Sequence, residues 1–295
     1  MLTVMGATGN TGKKVVEMLL AAGQPVRALG RSEQRLGGLR ALGAEILVGD
    51  PSEAAFLTRA FRGASAVYVM VPPDRETPHY HQDQQRKGEA IVQALRESGV
   101  RHVVALSALG TDQSDGTGLH ALLHAQEERL KTLRDTNILM LRPVSFFENF
   151  LDVLPVIQQQ GINADSVEPD LAIPMIATRD IAEVAARALM RRDWSGIAVR
   201  ELLGPRDLSY REATRILGAR LGRPELNYVQ LPPQEMSQAL VHAGLSETFA
   251  RLYVEMTQAF NDGRIQPRAG RTADNTTPTR FEDFVAELPL DSANP

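Results

Sequence analysis

Apolar and polar positions follow two alternating rhythms through the first half of the chain. Short apolar runs at 2–5, 26–29, 45–48, 66–71, 102–106 and 138–141 predict strands. The amphipathic stretches between them, at 11–22, 34–42, 54–61, 82–98 and 120–133, predict helices. Strand and helix in turn make repeated β–α units. Right-handed crossovers then give a doubly wound parallel sheet with its ligand at the carboxyl ends of the strands.

After Phe150 the rhythm changes, and Pro155, Gly161, Pro169 and Pro174 break the chain into loops and short pieces. Asp180, with Glu183 three residues later, predicts a capped helix with Ile181, Val184, Ala185, Ala188 and Leu189 on one face. Ser209 and Glu212 predict a second capping box, opening a helix that runs to Leu221. Residues 263–279, rich in Arg, Gly and Thr without periodicity, read as a surface loop, and 281–285 as a short terminal helix.

The most specific signal is the loop between the first strand and the first helix, Gly6-Ala7-Thr8-Gly9-Asn10-Thr11-Gly12. Gly6 permits the turn, Gly9 lets a diphosphate approach the backbone, and Gly12 allows close helix–strand packing. The amides of the first helical turn and the helix dipole favour the anion. Spacing of the form G-x-x-G-x-x-G points to the short-chain dehydrogenase branch of such folds. The expected organisation is therefore α/β: a Rossmann dinucleotide-binding domain over 1–150, to which 178–204 returns, and a smaller, mostly helical substrate lobe over 151–295.

The end of the second strand discriminates between the two dinucleotides. An acid there binds a free ribose 2′-hydroxyl, whereas an arginine pairs with a 2′-phosphate. Here the strand runs into Gly30-Arg31-Ser32 with no carboxylate before Glu33, and Arg35 lies one helical turn on. A guanidinium offers a planar fork to phosphate, although Arg31 also reads as a solvated loop charge. NADP(H) is expected in preference to NAD(H). Asp50, ending the third strand, either accepts from an adenine amino group or caps the helix after Pro51. Val71 and Pro72 after the fourth strand, and Ser107 after the fifth, occupy strand ends that face a bound dinucleotide. The Pro72-Pro73 pair also makes a rigid turn without any ligand.

Composition narrows the class further. The 295 residues contain no cysteine, which excludes disulfides, thiolate metal sites and thiol nucleophiles. A formal net charge of −4 does not suggest a nucleic-acid groove. No apolar run approaches the ~20 residues needed to span a bilayer, and the first strand starts at Leu2, leaving no room for a leader. A cytoplasmic protein is expected, without membrane or nucleic-acid partners, metal or flavin. No oligomeric state is implied.

Taken in order, several stretches resemble the NmrA-like atypical short-chain dehydrogenases. They are the glycine loop, Arg27-Ala28-Leu29 with Arg31, Gly49-Asp50, His124-x-x-x-Glu128, Leu141-Arg142-Pro143, Phe146-Phe147-Glu148-Asn149-Phe150, Ala177-Thr178-Arg179-Asp180-Ile181-Ala182 and Leu203-Gly204-Pro205. The resemblance spans almost the whole chain. It implies a nicotinamide cofactor, and a place among NADPH-dependent quinone and dye reductases or among regulators that sense nicotinamide redox state without turnover.

The usual acid–base pair of short-chain dehydrogenases, Tyr-x-x-x-Lys on the helix after the fifth strand, is missing. That helix begins His120-Ala121-Leu122-Leu123-His124. His120 and His124 share a face, and His124, which matches the reductase pattern, is the candidate to lie near the nicotinamide and serve chemistry. Quinone reduction demands less: the protein aligns two rings and excludes water, and solvent can supply the proton. Pro143, Val144 and Phe146, after the sixth strand, are the candidates beside the nicotinamide, with Phe146 or Phe147 stacking on a quinone-like aromatic substrate. Tyr228, Met236, Phe249, Tyr253 and Met256 are candidates for the far wall of a cleft. Two functions follow: an NADPH-dependent reductase of quinones or similar conjugated molecules, or a non-catalytic NADP(H) sensor read by a protein partner.

Overall fold

The computed structural model describes residues 1–288; residues 289–295 of the expected second lobe lie outside the described residues. Strands β1 (Leu2–Val4), β2 (Val26–Gly30), β3 (Glu45–Val48), β4 (Ala66–Val69), β5 (His102–Leu106) and β6 (Asn137–Pro143) alternate with helices. These are α1 (Asn10–Ala21), α2 (Glu33–Ala41), α3 (Ala54–Phe61), α4 (Tyr80–Ser98) and α5 (Leu119–Lys131). There follow α6 (Asn149–Asp152), α7 (Leu154–Gln160), β7 (Ile162–Asp165), α8 (Thr178–Arg191), β8 (Ile197–Leu202) and α9 (Tyr210–Arg220). β9 (Asn227–Gln230), α10 (Pro233–His242), α11 (Glu247–Asn261) and α12 (Phe281–Ala286) complete the chain.

Seven strands form one sheet in the order β3-β2-β1-β4-β5-β6-β8, parallel throughout. The doubly wound sheet predicted from the β–α rhythm is thus present. The direction of winding reverses between β1 and β4, so the loops after these strands open a crevice at their carboxyl ends. β7 and β9 pair separately, also in parallel.

Successive residues of a strand feed opposite faces. Ala66 and Tyr68 of β4, and Leu139 and Leu141 of β6, pack under α1, α2 and α8. Val67 and Val69, and Ile138 and Met140, pack under α3 and α4 with Phe56, Leu57, Ile91 and Leu95. Both faces are covered, which is why these strands read as continuous apolar runs.

Three local expectations are corrected. The fourth strand stops at Val69, not Val71, because Pro72 and Pro73 lack amide hydrogens and turn the chain off the sheet. Asp180 does not cap a helix; α8 starts earlier, at Thr178, and the Asp180 carboxylate accepts from the Thr279 amide (3.0 Å) and hydroxyl (2.6 Å). The 263–279 stretch is a surface loop only in part: Asn275 and Thr277 are buried, and two backbone bonds tie it to Leu203 beyond β8. The Ser209 box is present, with the Ser209 hydroxyl accepting from the Glu212 amide at 3.2 Å.

Candidate functional site

β1 leads into Gly6, whose φ of +64° would strain any L side chain. Gly12 is required for another reason. A Cβ there would stand 2.3 Å from the Gly6 carbonyl oxygen, so α1 can lie against the loop only without a side chain. At Gly9 a Cβ would meet only the Gly6 oxygen, at 3.4 Å, an ordinary contact. No side chain caps α1 and no carboxylate stands in its first turn. Its amide ends and dipole therefore remain available to an anion.

The loop opens on a cavity of about 200 Å³ whose lining includes Gly6, Thr8, Gly9, Arg31, Arg35 and Pro72. Arg35 donates to the Thr8 carbonyl at 3.2 Å, closing one side. Among the described residues no carboxylate pairs with Arg31. Asn10 is exposed at the helix start and Thr11 is buried beneath it; neither lines the cavity. Asp50 does not line it either, although Gly49 and Pro51 do. Nor does Asp50 cap α3, whose N-cap is Glu53. Its carboxylate instead accepts from the Ser52 amide at 2.8 Å, a turn across Pro51.

A second cavity, of about 280 Å³, adjoins the first at Met70 and Pro73, which line both. Val71, Ser107, Pro143, Val144 and Phe146 all line it, at the carboxyl ends of β4, β5 and β6. Phe147 instead is core, packed edge-on to Phe281 at 5.0 Å. The opposite wall comes from α11, with Phe249, Tyr253 and Met256, and from Tyr210 of α9. Tyr228 and Met236 are buried elsewhere.

The structure separates the two histidines. His124 lines neither cavity; its Nδ1 donates to the Thr111 carbonyl at 2.8 Å. His120 lines the larger cavity, with its ring edge-on to Phe260 at 6.0 Å. Burial pushes its pKa down to about 4 against a hydrogen bond to Leu109, so it is neutral near pH 7.

Two ion pairs, one buried (Glu127–Arg142) and one half-buried (Glu148–Lys14), hold these walls, and neither is foreseen from the sequence. Glu127 of α5, 2% exposed, accepts from Arg142 Nε (2.9 Å) and Nη2 (2.5 Å), Ser107 Oγ (2.6 Å) and Thr111 Oγ1 (2.8 Å). The ends of β5 and β6 are thereby fixed to the helix that would ordinarily carry the Tyr–Lys pair. Glu148 accepts from the Thr178 amide (3.0 Å to Oε2), the Thr178 hydroxyl and Lys14 Nζ (3.3 Å). A carboxylate thus sits at the N-terminus of α8 and joins the glycine-loop helix to the segment bearing Phe146. The available signal was the charged residue inside each apolar motif, Arg142 in Leu-Arg-Pro and Glu148 in Phe-Phe-Glu-Asn-Phe. Tyr80 also lies outside the predicted helix 82–98: it begins α4 and lines the larger cavity.

The sheet order and flanking helices define a Rossmann-type α/β protein. Within that class the chain belongs to the NmrA-like family, whose model matches residues 1–285. It is 31% identical over 275 residues to a (4-alkanoyl-5-oxo-2,5-dihydrofuran-3-yl)methyl phosphate reductase of Streptomyces griseus, covering 92% of this chain and 89% of the relative. Its fold matches the NADPH-dependent quinone oxidoreductase of Escherichia coli, solved with NADPH, with a TM-score of 0.78 at 22% identity, over 97% of this chain and 98% of that one. It also matches the triphenylmethane reductase of a Citrobacter species, solved with NADP(H), with a TM-score of 0.74 at 21% identity, over 99% and 98%.

Proposed function

We propose that this protein is a reductase that uses NADPH in preference to NADH and reduces quinones or similarly conjugated, electron-poor small molecules. The observation that carries the reading is the junction at Met70 and Pro73. There a glycine-loop cavity with two arginines runs into an apolar, aromatic-walled cavity. The first fits a dinucleotide: the loop and the α1 amides take the diphosphate, and Arg31 takes the adenosine 2′-phosphate, with Arg35 beside it. A reduced nicotinamide in the second supplies hydride. The residues' share is to align a flat acceptor against Phe146 and to exclude water. The reductases among the relatives support this reading. A sensor would need only the first cavity, so the second favours turnover.

Stopped-flow NADPH oxidation with a panel of benzoquinones and naphthoquinones tests the proposal. Acceptor-dependent oxidation is expected. Background rates with every acceptor, together with unequal binding of NADP+ and NADPH, overturn it in favour of a redox sensor.

The cofactor preference is tested separately with Arg31→Asp. A charge-assisted contact is worth about 1.5–3 kcal/mol, so NADPH affinity is expected to fall by about tenfold to a hundredfold or more. NADH affinity should hold or rise. Calorimetric titration reads both, and unchanged NADPH affinity refutes the 2′-phosphate role.

A further inference from the structure

Hydride arriving on a conjugated carbonyl leaves an oxyanion that needs a proton, and the structure removes the obvious donors. The usual Tyr–Lys pair is missing from α5. His120 carries no imidazolium proton near neutrality, and the Ser107 hydroxyl donates to Glu127, a carboxylate already tied to the Arg142 guanidinium. Across the cavity, α11 presents Tyr253, whose hydroxyl donates to Asp165 Oδ2 at 2.6 Å. Asp165 ends β7, is 6% exposed, and accepts the Ser166 amide on Oδ1 at 2.6 Å.

The surroundings of this carboxyl differ from those of Glu127 and Glu148, each of which has a cation. The groups facing Asp165 are Tyr253 of α11, Tyr210 of α9, Tyr228 of β9 and the Ser166 backbone and hydroxyl. No lysine, arginine or histidine of the described residues pairs with it. Burial raises its pKa, with the hydrogen bonds from Tyr253, Ser166 and Val167 opposing. Burial also holds the Tyr253 phenol well above its ordinary pKa, so it keeps its proton. A buried strand-end carboxyl whose pKa is raised by burial, bonded to a phenol in a cavity wall, can hold and pass on a proton.

We propose that Tyr253 protonates the reduced acceptor and that Asp165 replaces the proton Tyr253 gives up; this rests on the reductase reading. The acceptor receives hydride, and its carbonyl π pair moves onto oxygen. The Tyr253 O–H bond breaks as an O–H bond forms on the acceptor. The Asp165 carboxyl returns a proton to the phenolate oxygen, and the carboxylate recovers one from solvent. In sum the acceptor gains one hydride and one proton. Tyr253 is the catalytic residue, and Asp165 acts through it.

The test uses two acceptors that differ in proton demand. A naphthoquinone needs hydride and a proton, whereas a cationic triarylmethyl dye is neutralised by hydride alone. Tyr253→Phe is expected to lower kcat on the quinone by about a hundredfold and to leave the dye rate within about twofold. Equal losses on both make Tyr253 structural, and no loss on the quinone assigns the proton to another source; either overturns the proposal.

Asp165→Asn keeps the shape but cannot hand over a proton. In the wild type the quinone kcat should fall as pH rises through the raised Asp165 titration. In Asp165→Asn it should be low and flat, and a retained fall overturns the carboxyl's role. Infrared difference spectra of the cofactor-free protein supply a readout without turnover. A carboxylic-acid band should disappear above the ordinary carboxyl range and be missing in Asp165→Asn; a band unchanged by that substitution also overturns it. A wild type that reduces neither acceptor overturns the reductase reading and the proposal with it, whereas the Tyr253→Phe outcomes above overturn the relay alone.

Discussion

Glu127→Ala is expected to lower the free energy of unfolding by about 3–5 kcal/mol, the usual cost of removing one partner from a buried ion pair. The cost is high because Arg142, with an 11% exposed side chain, would keep its charge without its carboxylate. Ser107 and Thr111 would lose a common acceptor at the same time. Glu127→Gln, which preserves shape and one acceptor, should lose less. Urea denaturation followed by circular dichroism measures both, with the slope of the transition as the check on two-state behaviour. A loss below about 1 kcal/mol for the alanine variant, as for an exposed pair, would show that the pair does not hold the strand ends. Ser107 and Pro143 stand on those ends, so the variant should also bind NADPH more weakly under conditions where it remains folded.

Gly12→Val carries the second large effect, on binding. The added Cβ would fall 2.3 Å from the Gly6 oxygen and 2.7 Å from the Gly6 carbonyl carbon, both backbone atoms that no rotamer change can move aside. Either the loop shifts or α1 does, at an overpacking cost of about 1–3 kcal/mol. Calorimetry should therefore show NADPH affinity reduced by about tenfold to a hundredfold. Gly9→Ala separates distortion from obstruction. Its Cβ meets only an ordinary contact, so the variant should melt like the wild type and still bind poorly, the new methyl group standing where the diphosphate approaches. Full NADPH affinity in Gly9→Ala would remove the diphosphate from that face of the loop.

Much of this molecule was legible in its sequence because its first half obeys local rules. Each strand is a short apolar run and each helix a periodic one, and the predicted bounds of strands 45–48 and 102–106 and of helix 54–61 match β3, β5 and α3. The glycine loop was readable because Gly6 and Gly12 answer to backbone geometry within a few residues. What stayed hidden is long-range. Nothing near Glu127 in the chain announces Arg142, and Glu148 meets Thr178 and Lys14 only once the sheet is assembled. The histidines show the same limit at close range. His120 and His124 share a helical face, and only the packing of α11 against α5 decides that His120 reaches the larger cavity. Asp180 looked like a cap because Asp–x–x–Glu is a local pattern, but its partner Thr279 lies far along the chain.

The seventh strand sets a timetable for synthesis. β6 is made long before β8, with which it pairs from Ile138–Ile197 to Pro143–Leu202. Until residue 202 has left the ribosome, the nascent sheet ends in an open rim of unpaired amides and carbonyls, and the apolar side of α1 waits for α8. Such a rim invites pairing with neighbouring chains. Mistakes in making this protein should therefore concentrate in that interval, and a nascent chain halted shortly after Phe150 should be more sticky than one halted beyond Leu202.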